Sequence, residues 1–303
     1  MSNKVTVYLA AMGTVVLWGM SYIWSDRLLD LHIPVEFFVP IRILLAGILL
    51  WGLNKIMGYD MRIRRRDWGK FFLLALCEPF IYFVAETYGI KLTESPTITA
   101  LVIATNPIFA ALVGIFLFRE KIDWLNILGI FVTLGGLLLV TWARTSTGPY
   151  FILGIIILFI AVISEVSHIS LTKVLSDGYA PSVIVMYQFL FGAVMFLPLF
   201  FTLGVKDFDA SLYLSWDVLY PTLALAVLCS ATAFSLWAFA IKHLGVARSS
   251  IFLAVVPLAT ALLSVLFGDE RLCLTQWLGL AVAMVGLLLT QKASKSAPAQ
   301  ESK

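Results

Sequence analysis

The side chains best suited to chemistry in this sequence are acidic residues embedded in apolar stretches. Glu78, Tyr82 and Glu86 recur at every fourth position of one such stretch. At about 100° per residue these positions lie on one face of a helix, which Pro79 can bend. A carboxylate at the centre of a membrane helix costs roughly 2.5–3.5 kcal/mol on insertion scales. We therefore predict that this face lines the protein interior or a wet cavity.

Two roles are open for the carboxylate of Glu86. It can titrate a proton or counter the charge of a substrate ammonium group, or it can form a structural ion pair with Arg42 or Lys91. Glu78 lies deeper in the same stretch, and a buried carboxyl group without a counter-charge takes up a proton. Both glutamates, together with Tyr82, are therefore candidates for substrate binding or proton coupling.

A second candidate group is Glu165 with His168, which are three positions apart and share one helix face. The two could form a proton relay, because histidine is the side chain that exchanges protons near neutral pH. The alternative is a hydrogen bond that holds this helix against a neighbour. Both residues are assigned to the substrate-binding or proton-coupling group.

Three aromatic residues inside apolar stretches are candidates for the same site: Trp18, Tyr22 and Trp237. An aromatic stripe on a membrane helix is typical of packing, which is the alternative to lining a cavity. The indole N–H of a buried tryptophan needs a hydrogen-bond partner. That requirement favours Trp18 and Trp237 as cavity residues.

A proline follows Asn106 in the middle of another apolar stretch. Pro107 removes a backbone donor and exposes a carbonyl that a side chain or ligand can satisfy, so Asn106 is a further site candidate. Pro257 occupies the corresponding position of a later stretch, where Val256 replaces the asparagine. The two prolines are predicted to be hinges of a conformational change, or else static kinks.

Three charged residues are predicted to be mainly structural. Arg42 is expected to pair a carboxylate or to bind carbonyl groups at a helix end, with contact to a substrate carboxylate as the alternative. Glu120 and Glu270 lie near the ends of apolar stretches. We expect each of them to cap or pair a helix end at opposite faces of the membrane.

Composition assigns these residues to a membrane protein. Hydrophobic residues make up 61% of the 303 positions, charged residues make up 13%, and the mean hydropathy is +0.97. Soluble domains average roughly 45–50% apolar and about 25% charged residues, so a water-soluble fold is excluded. Ten segments approach the roughly 20 apolar residues that cross a bilayer: 5–25, 36–57, 70–90, 96–118, 124–142, 150–172, 182–203, 218–241, 246–267 and 273–291.

The distribution of Lys and Arg predicts the orientation of these segments. With a cytoplasmic amino terminus, 15 of the 21 basic residues fall on the inside and 5 on the outside, while Arg42 lies within a helix. This is the positive-inside bias of membrane proteins. We therefore expect a multi-pass protein of the cytoplasmic membrane with both termini in the cytoplasm.

The sequence repeats itself after 150 residues. Thr99–Val140 and Ser249–Thr290 share 12 identities in 42 positions without a gap. These identities include one proline, one glutamate and two glycines in register: Pro107 with Pro257, Glu120 with Glu270, Gly129 with Gly279, and Gly136 with Gly286. The first parts of the halves align less well, 146 positions apart, where Arg42 meets Gln188.

Each half therefore holds five helices. An odd number makes the second copy enter the membrane from the opposite side, which gives the inverted repeat of many secondary transporters. We predict an all-α, polytopic membrane protein with two such repeats, at residues 1–147 and 148–291. The polar residues 292–303 are expected to form a disordered cytoplasmic tail. Glycines spaced by seven predict close helix packing.

Several fragments also resemble a known family, the EamA-type permeases of the drug/metabolite transporter superfamily. The matching pieces, in chain order, are Leu17-Trp18-Gly19-Met20-Ser21, Ile41-Arg42-Ile43-Leu44-Leu45-Ala46, Pro107 followed by Phe118-Arg119-Glu120-Lys121, Tyr187-Gln188 with Gly192, and Pro257 followed by Gly268-Asp269-Glu270-Arg271-Leu272. The resemblance implies ten helices around a central cavity, alternating access, and export of amino acids or related metabolites. It leaves the substrate open.

The leading functional prediction is a secondary transporter, with proton coupling, for an amino acid or another small amine. The sequence lacks the G-x-x-x-x-G-K-[ST] motif of ATP binding, so ATP is not the expected energy source. A passive channel or facilitator is the first alternative. A membrane-embedded enzyme is the second, but neither an H-E-x-x-H motif nor a nucleophile elbow is present.

The expected partners follow from this prediction. They are a small-molecule substrate, the lipid bilayer and, for coupling, protons. Nothing in the sequence predicts a nucleic-acid partner, a cofactor, a metal site or a catalytic residue, and Cys77, Cys229 and Cys273 lack metal-ligand spacing. Ten helices can enclose a site within one chain, so a monomer is sufficient.

Overall fold

A computed structural model describes residues 4–106, 108–109, 124–142, 148–206, 208–244, 249, 252–267 and 270–293. Within these ranges the chain is helical and contains no strand. The α-helices, numbered here in chain order, are α1 Lys4–Asp30, α2 Val35–Ile56, α3 Trp68–Ala75, α4 Tyr82–Thr93, α5 Pro96–Ile103, α6 Trp124–Trp142, α7 Phe151–Ser176, α8 Pro181–Leu199, α9 Ala210–Tyr213, α10 Trp216–Ala224, α11 Ala233–Leu244, α12 Val256–Phe267 and α13 Leu274–Ala293.

Six helical runs in the described part of the chain are long and apolar enough to cross a bilayer. They are Val5–Asp30, Val35–Ile56, Arg65–Thr93, Phe151–Ser176, Pro181–Gly204 and Trp216–Leu244. Three shorter apolar helices accompany them: Ile127–Trp142, Val256–Phe267 and Leu274–Leu289. All nine overlap segments that were predicted from the sequence, although the first span continues to Asp30, beyond the predicted 5–25.

Two of the long runs are interrupted by π-helical segments, at Leu76–Ile81 and Leu225–Thr232. In the first, Glu78 has an extended backbone (φ −144°, ψ 119°), and the following Pro79 has no N–H for the helical ladder. The four-residue spacing predicted that Glu78, Tyr82 and Glu86 share one face of a helix. Glu78 instead lies in the break, outside the regular helix that carries Tyr82 and Glu86. Wide turns of this kind occur frequently at functional sites.

The turns at the end of α5 and before α12 repeat each other 150 residues apart. The N–H of Thr105 donates to the carbonyl of Val102 at 3.0 Å, and the N–H of Val255 donates to the carbonyl of Phe252 at 3.0 Å. The helical ladder is thus broken at equivalent positions of the two halves. Pro257 follows the second break as the second residue of α12.

Helices α6 and α13 approach each other with their backbones in close contact. A Cβ atom added to Gly136 would lie 2.6 Å from the carbonyl oxygen of Gly279, and one added to Gly286 would lie 2.8 Å from that of Gly129. Gly279 and Gly286 are the copies of Gly129 and Gly136 at the repeat offset of 150. Gly136 thus contacts Gly279, the copy of Gly129, while Gly129 contacts Gly286, the copy of Gly136. This pairing means that the two helices run antiparallel. We call this contact the glycine seam.

The burial pattern is that of a protein surrounded by lipid. Large apolar side chains such as Phe131, Leu138 and Ile152 are between 67% and 69% exposed on the outside. Five ionisable side chains in the middle of the spans are only 2% to 6% exposed: Arg42, Glu78, Glu86, Glu165 and His168. Because burying a charge without polar partners is costly, these groups must be grouped around a polar interior.

Candidate substrate cavity

The buried ionisable groups surround one cavity at the centre of the helices. Its wall is built from α1, α2, the first π-helical segment, α4, α5, α7, α11 and the start of α12, with residues at the breaks near Ala104 and Leu253. The polar lining residues are Trp18, Ser21, Tyr22, Arg42, Glu78, Tyr82, Glu86, Asn106 and Glu165. Both halves of the sequence therefore contribute to one site.

The open space at the centre of this cavity is small. The concavity as a whole contains about 490 Å³ between atoms, but only about 30 Å³ of it admits the centres of water molecules. That smaller volume suits about two waters, whereas ligand pockets usually measure several hundred Å³. A metabolite must therefore widen the cavity when it binds.

The carboxylate of Glu86 is held on the cavity wall by a neighbour on its own helix. The hydroxyl of Tyr82 donates to Glu86 Oε1 at 2.8 Å. Neither Arg42 nor Lys91 lies within ion-pair distance of Glu86 in the described structure, although the charge of Arg42 acts on it across the cavity. The structural ion pair that was one of the two open roles for Glu86 is absent from this arrangement.

Glu78 pairs with a residue of α7. Its Oε2 lies 2.6 Å from Nδ1 of His168, but the ring N–H does not point in line at the oxygen, so the contact has ion-pair rather than hydrogen-bond geometry. The hydroxyl of Ser164 donates to the carbonyl of Cys77 at 2.6 Å, which fastens α7 to the interrupted helix. His168 thus meets Glu78, and not Glu165 as the spacing on its own helix suggested.

Arg42 lies in the cavity wall and not at a helix end. Its Nε donates to Ser230 Oγ at 3.2 Å, and its guanidinium carbon lies 4.1 Å from the centre of the Phe83 ring, within the range of a cation–π contact. The Nη1 atom is buried and has no hydrogen-bond partner among the described residues. The second π-helical segment supplies Ser230, so this break helps to position the one arginine of the cavity.

Some buried polar atoms of the cavity wall have no partner in the described structure. They are Nε1 of Trp18 and Nη1 of Arg42, while the side chains of Asn106 and Glu165 interact with each other without good hydrogen-bond geometry. An unsatisfied buried polar group costs about 1–3 kcal/mol. The cavity thus presents both donors and acceptors that water or a polar ligand would satisfy.

Seven of the predicted substrate or proton residues line this cavity: Trp18, Tyr22, Glu78, Tyr82, Glu86, Asn106 and Glu165. The other two lie one layer behind the wall. His168 contacts Glu78, and the Trp237 ring lies 5.4 Å from the Trp18 ring in an edge-on arrangement. Arg42, predicted to be mainly structural, joins the lining.

The remaining predicted residues lie away from the cavity or outside the described residues. Glu270 accepts hydrogen bonds from Ser95 Oγ, from Thr97 Oγ1 at 2.6 Å and from Thr97 N at 3.3 Å. These donors lie at the start of α5. Glu270 therefore connects the segment before α13 to the amino-terminal end of α5. Pro107 and Glu120 lie outside the described residues.

Several residues that were not predicted from the sequence contribute to the site or support it. Phe83 and Phe234 supply aromatic wall, while Ser230 holds Arg42. Gln188 Oε1 lies 3.2 Å from Nε2 of His168. The repeat alignment offered a signal for Gln188, because it is the counterpart of Arg42. The aromatic residues cannot be distinguished by pattern from other packed phenylalanines.

The sequence profile of the EamA-like transporter family matches residues 5–142 and 152–291. The chain belongs to this family, and its members named below are transporters and not enzymes. Its resemblance to EamA-type permeases, inferred from short motifs, is therefore confirmed. Together with the apolar helices, membership makes the chain a multi-pass membrane transporter.

Individual relatives are distant. The chain is 25% identical to the uncharacterized transporter YetK of Bacillus subtilis, over 99% of this chain and 92% of that protein. It is 26% identical to a probable terminal-alkyne amino-acid exporter of Streptantibioticus cattleyicolor, over 64% of this chain and 63% of that one. A solved crystal structure shares its fold with a TM-score of 0.72 at 15% identity, over 98% of this chain and all of that chain.

Proposed function

We propose that this chain is a proton-linked secondary transporter that moves a small zwitterionic metabolite, such as an amino acid, out of the cell by alternating access. The observation that carries the proposal is the buried central cavity with unpartnered polar groups on its wall. A substrate that carries both donors and acceptors would satisfy these groups. The amino-acid exporter among the relatives supports the direction and the substrate class.

The charges of the wall define how such a substrate would lie. Glu86 and Glu165 offer carboxylate oxygens to an ammonium group, while Arg42 Nη1 and Trp18 Nε1 offer donors to a carboxylate. Hydrogen bonds to charged groups are worth about 1.5–3 kcal/mol each. A substrate with only a positive charge would leave the arginine unsatisfied, so we favour zwitterions over polyamines.

The architecture we propose is ten helices in two inverted repeats, residues 1–147 and 148–291, followed by a tail at 292–303. The antiparallel glycine seam and the equivalent breaks at Thr105 and Val255 support the inversion. The two profile matches support the division. The excess of Lys and Arg in alternate loops supports cytoplasmic termini, and one chain is sufficient to form the cavity.

The first test is a thermal-unfolding screen of the purified protein in detergent. Proteinogenic amino acids, polyamines, quaternary amines and carboxylic acids are added separately to wild type and to Glu86→Gln. A ligand at 100 times its Kd stabilises a protein by about 2.7 kcal/mol, which is a measurable rise in Tm. We expect amino acids to raise the Tm of wild type and this rise to be lost in the variant.

A matched control is Glu94→Gln, because Glu94 directly follows the same span but does not line the cavity. It should respond to amino acids as wild type does. Stabilisation by carboxylic acids alone, or an unchanged response of Glu86→Gln, would overturn the assignment of Glu86 to an ammonium group. Stabilisation by none of these compounds would remove the proposed substrate class.

A further inference from the structure

We infer that Glu78 and His168 form a proton-carrying pair behind the substrate cavity, which exchanges its proton at Nε2 of the imidazole and not through the cavity. The inference rests on the proposed function, since it names the groups that would hold the coupling proton. It separates the proton site from the groups that bind the substrate, Glu86 and Arg42.

The two ends of the imidazole lie in different surroundings. Nδ1 lies 2.6 Å from Glu78 Oε2, on the side of the cavity. Nε2 lies 3.2 Å from Gln188 Oε1 and 3.2 Å from Thr172 Oγ1, on the side away from it. His168 itself does not line the cavity. A proton on Nε2 can thus be gained or lost without passing the substrate.

The hydrogen bonds around Nε2 fit both protonation states. In the loaded state the imidazolium carries one proton on Nδ1, beside the Glu78 carboxylate, and a second proton on Nε2 that is donated to Gln188 Oε1, so the pair is neutral. When the Nε2 proton leaves to water, Nε2 becomes an acceptor for the hydroxyl of Thr172. The amide nitrogen of Gln188 has no partner within the described part of the chain, so rotation of the amide group would also supply a donor to Nε2. The unloaded pair carries one negative charge.

That charge is felt in the cavity because Glu78 is part of its wall. The charge of Glu78 acts on Glu86 and on Glu165, and the charge of Arg42 is felt across the same space. The titratable and charged groups that surround the pair, from its own helix and from the elements packed around it, are Glu165, Cys77, Tyr82, Glu86 and Arg42. In the packed stretches of α5, α8 and α11 the polar neighbour of the ring is the neutral Gln188.

A polar face of α7 leads away from Nε2. His168, Thr172 and Ser176 follow at every fourth position and are between 3% and 5% exposed. At the end of this face the hydroxyl of Tyr179 donates to Asp67 Oδ2 at 3.0 Å. In the orientation expected from the basic loops this end faces the cytoplasm. In this conformation the proton is therefore released to the cytoplasmic side, and coupling requires that the pair takes up its proton from the opposite side in the other conformation of the transport cycle.

The test uses the full chain in liposomes, with a radiolabelled mixture of the proteinogenic amino acids as the probe. Two rates are measured: amino-acid exchange without a pH gradient, and accumulation driven by an imposed pH gradient. In His168→Gln, which retains hydrogen-bonding groups but cannot carry the proton, the ratio of driven accumulation to exchange should fall by about tenfold or more. The control is Ser170→Ala, on the exposed face of the same helix.

The outcomes separate the two proposals. Wild-type protein that does not exchange amino acids refutes the proposed function. Wild-type protein that does, with His168→Gln retaining the wild-type ratio, overturns the proton pair. If His168→Gln does not fold, Thr172→Val replaces it, because it keeps the ring but removes the hydroxyl next to Nε2. If folded Thr172→Val keeps the wild-type ratio of driven accumulation to exchange, the inference is overturned as well. A reduced ratio supports it.

Discussion

The third span of the first half and the third span of the second half have the same length and the same kind of helix break. They differ in the side chains that they present to the cavity. Arg65–Thr93 and Trp216–Leu244 are each 29 residues long, and each is interrupted by a π-helical segment. The first carries Glu78, Tyr82 and Glu86 toward the cavity, while the second contributes Phe234 to the lining. The two spans thus share an interrupted backbone but differ in the side chains that they offer to the cavity.

This difference separates what the repeat must preserve from what it can vary. Close backbone contacts and breaks in the helices determine how the halves fit together, so they recur in both copies. The charges determine which substrate is bound and in which orientation, and they are needed once. Arg42 and its counterpart Gln188 follow the same rule: one lines the cavity, while the other contacts His168.

The strongest way to break the asymmetry is Arg42→Gln, which gives the first half the residue of the second. Truncating one partner of a buried charge pair costs about 2–5 kcal/mol, so we expect the Kd for an amino acid to rise by about thirtyfold or more. Binding of the corresponding amine without a carboxylate should change much less. Isothermal titration with both ligands measures this, and an equal loss for both would contradict the orientation proposed for the substrate.

Gly136→Ala disrupts the close backbone contact of the glycine seam. The new methyl group would meet backbone atoms of α13, which cannot move aside as a side chain can. Overpacking costs about 1–3 kcal/mol, which we expect to see as a lower Tm in detergent. The matched control is Gly135→Ala on the same helix, where an added Cβ meets nothing within 4 Å. Equal Tm values for the two variants would contradict the close contact.

Ser230→Ala tests how much the span Trp216–Leu244 contributes to the position of Arg42. This change removes the hydroxyl that accepts from Arg42 Nε at 3.2 Å and leaves a buried donor unsatisfied, at a cost of about 1–2 kcal/mol. We expect amino-acid affinity to fall by roughly tenfold, less than in Arg42→Gln, and Ser235→Ala on the following helix to have little effect. An unchanged affinity would show that the span Trp216–Leu244 does not position Arg42.

The smallest effect is expected for Glu270→Gln, which tests a charge that was duplicated together with Glu120. The variant keeps one oxygen for Thr97 but loses the charge, so we expect a loss of about 0.5–1 kcal/mol in stability. Substrate affinity should stay at the wild-type value, because Glu270 does not line the cavity. A change in affinity without a change in Tm would contradict a structural role.

The sequence predicted most of the helices and most of the cavity wall, because both follow from local rules. Long apolar segments must be helical in a bilayer, and charged residues within them must face inward. These rules led to Glu78, Glu86 and Glu165. They also predicted a break near Pro79, since proline interrupts the helical ladder.

What the sequence did not predict depends on contacts between distant helices. The partner of His168 is Glu78, which is 90 positions away in the chain, whereas spacing alone offered Glu165 on the same helix. The break at Leu225–Thr232 contains no proline and left no local signal. The position of Arg42 over Phe83 likewise required knowing how α2 and α4 pack.

The glycine seam also bears on how the chain could have originated. In it, position 136 meets the copy of position 129, and position 129 meets the copy of position 136, so the contact is self-complementary. The same contact can be made by two identical five-helix chains inserted in opposite directions. An ancestral gene of half the present length could thus have assembled as a dual-topology dimer before fusion, and side chains such as Glu86 and Arg42 could become unequal only afterwards.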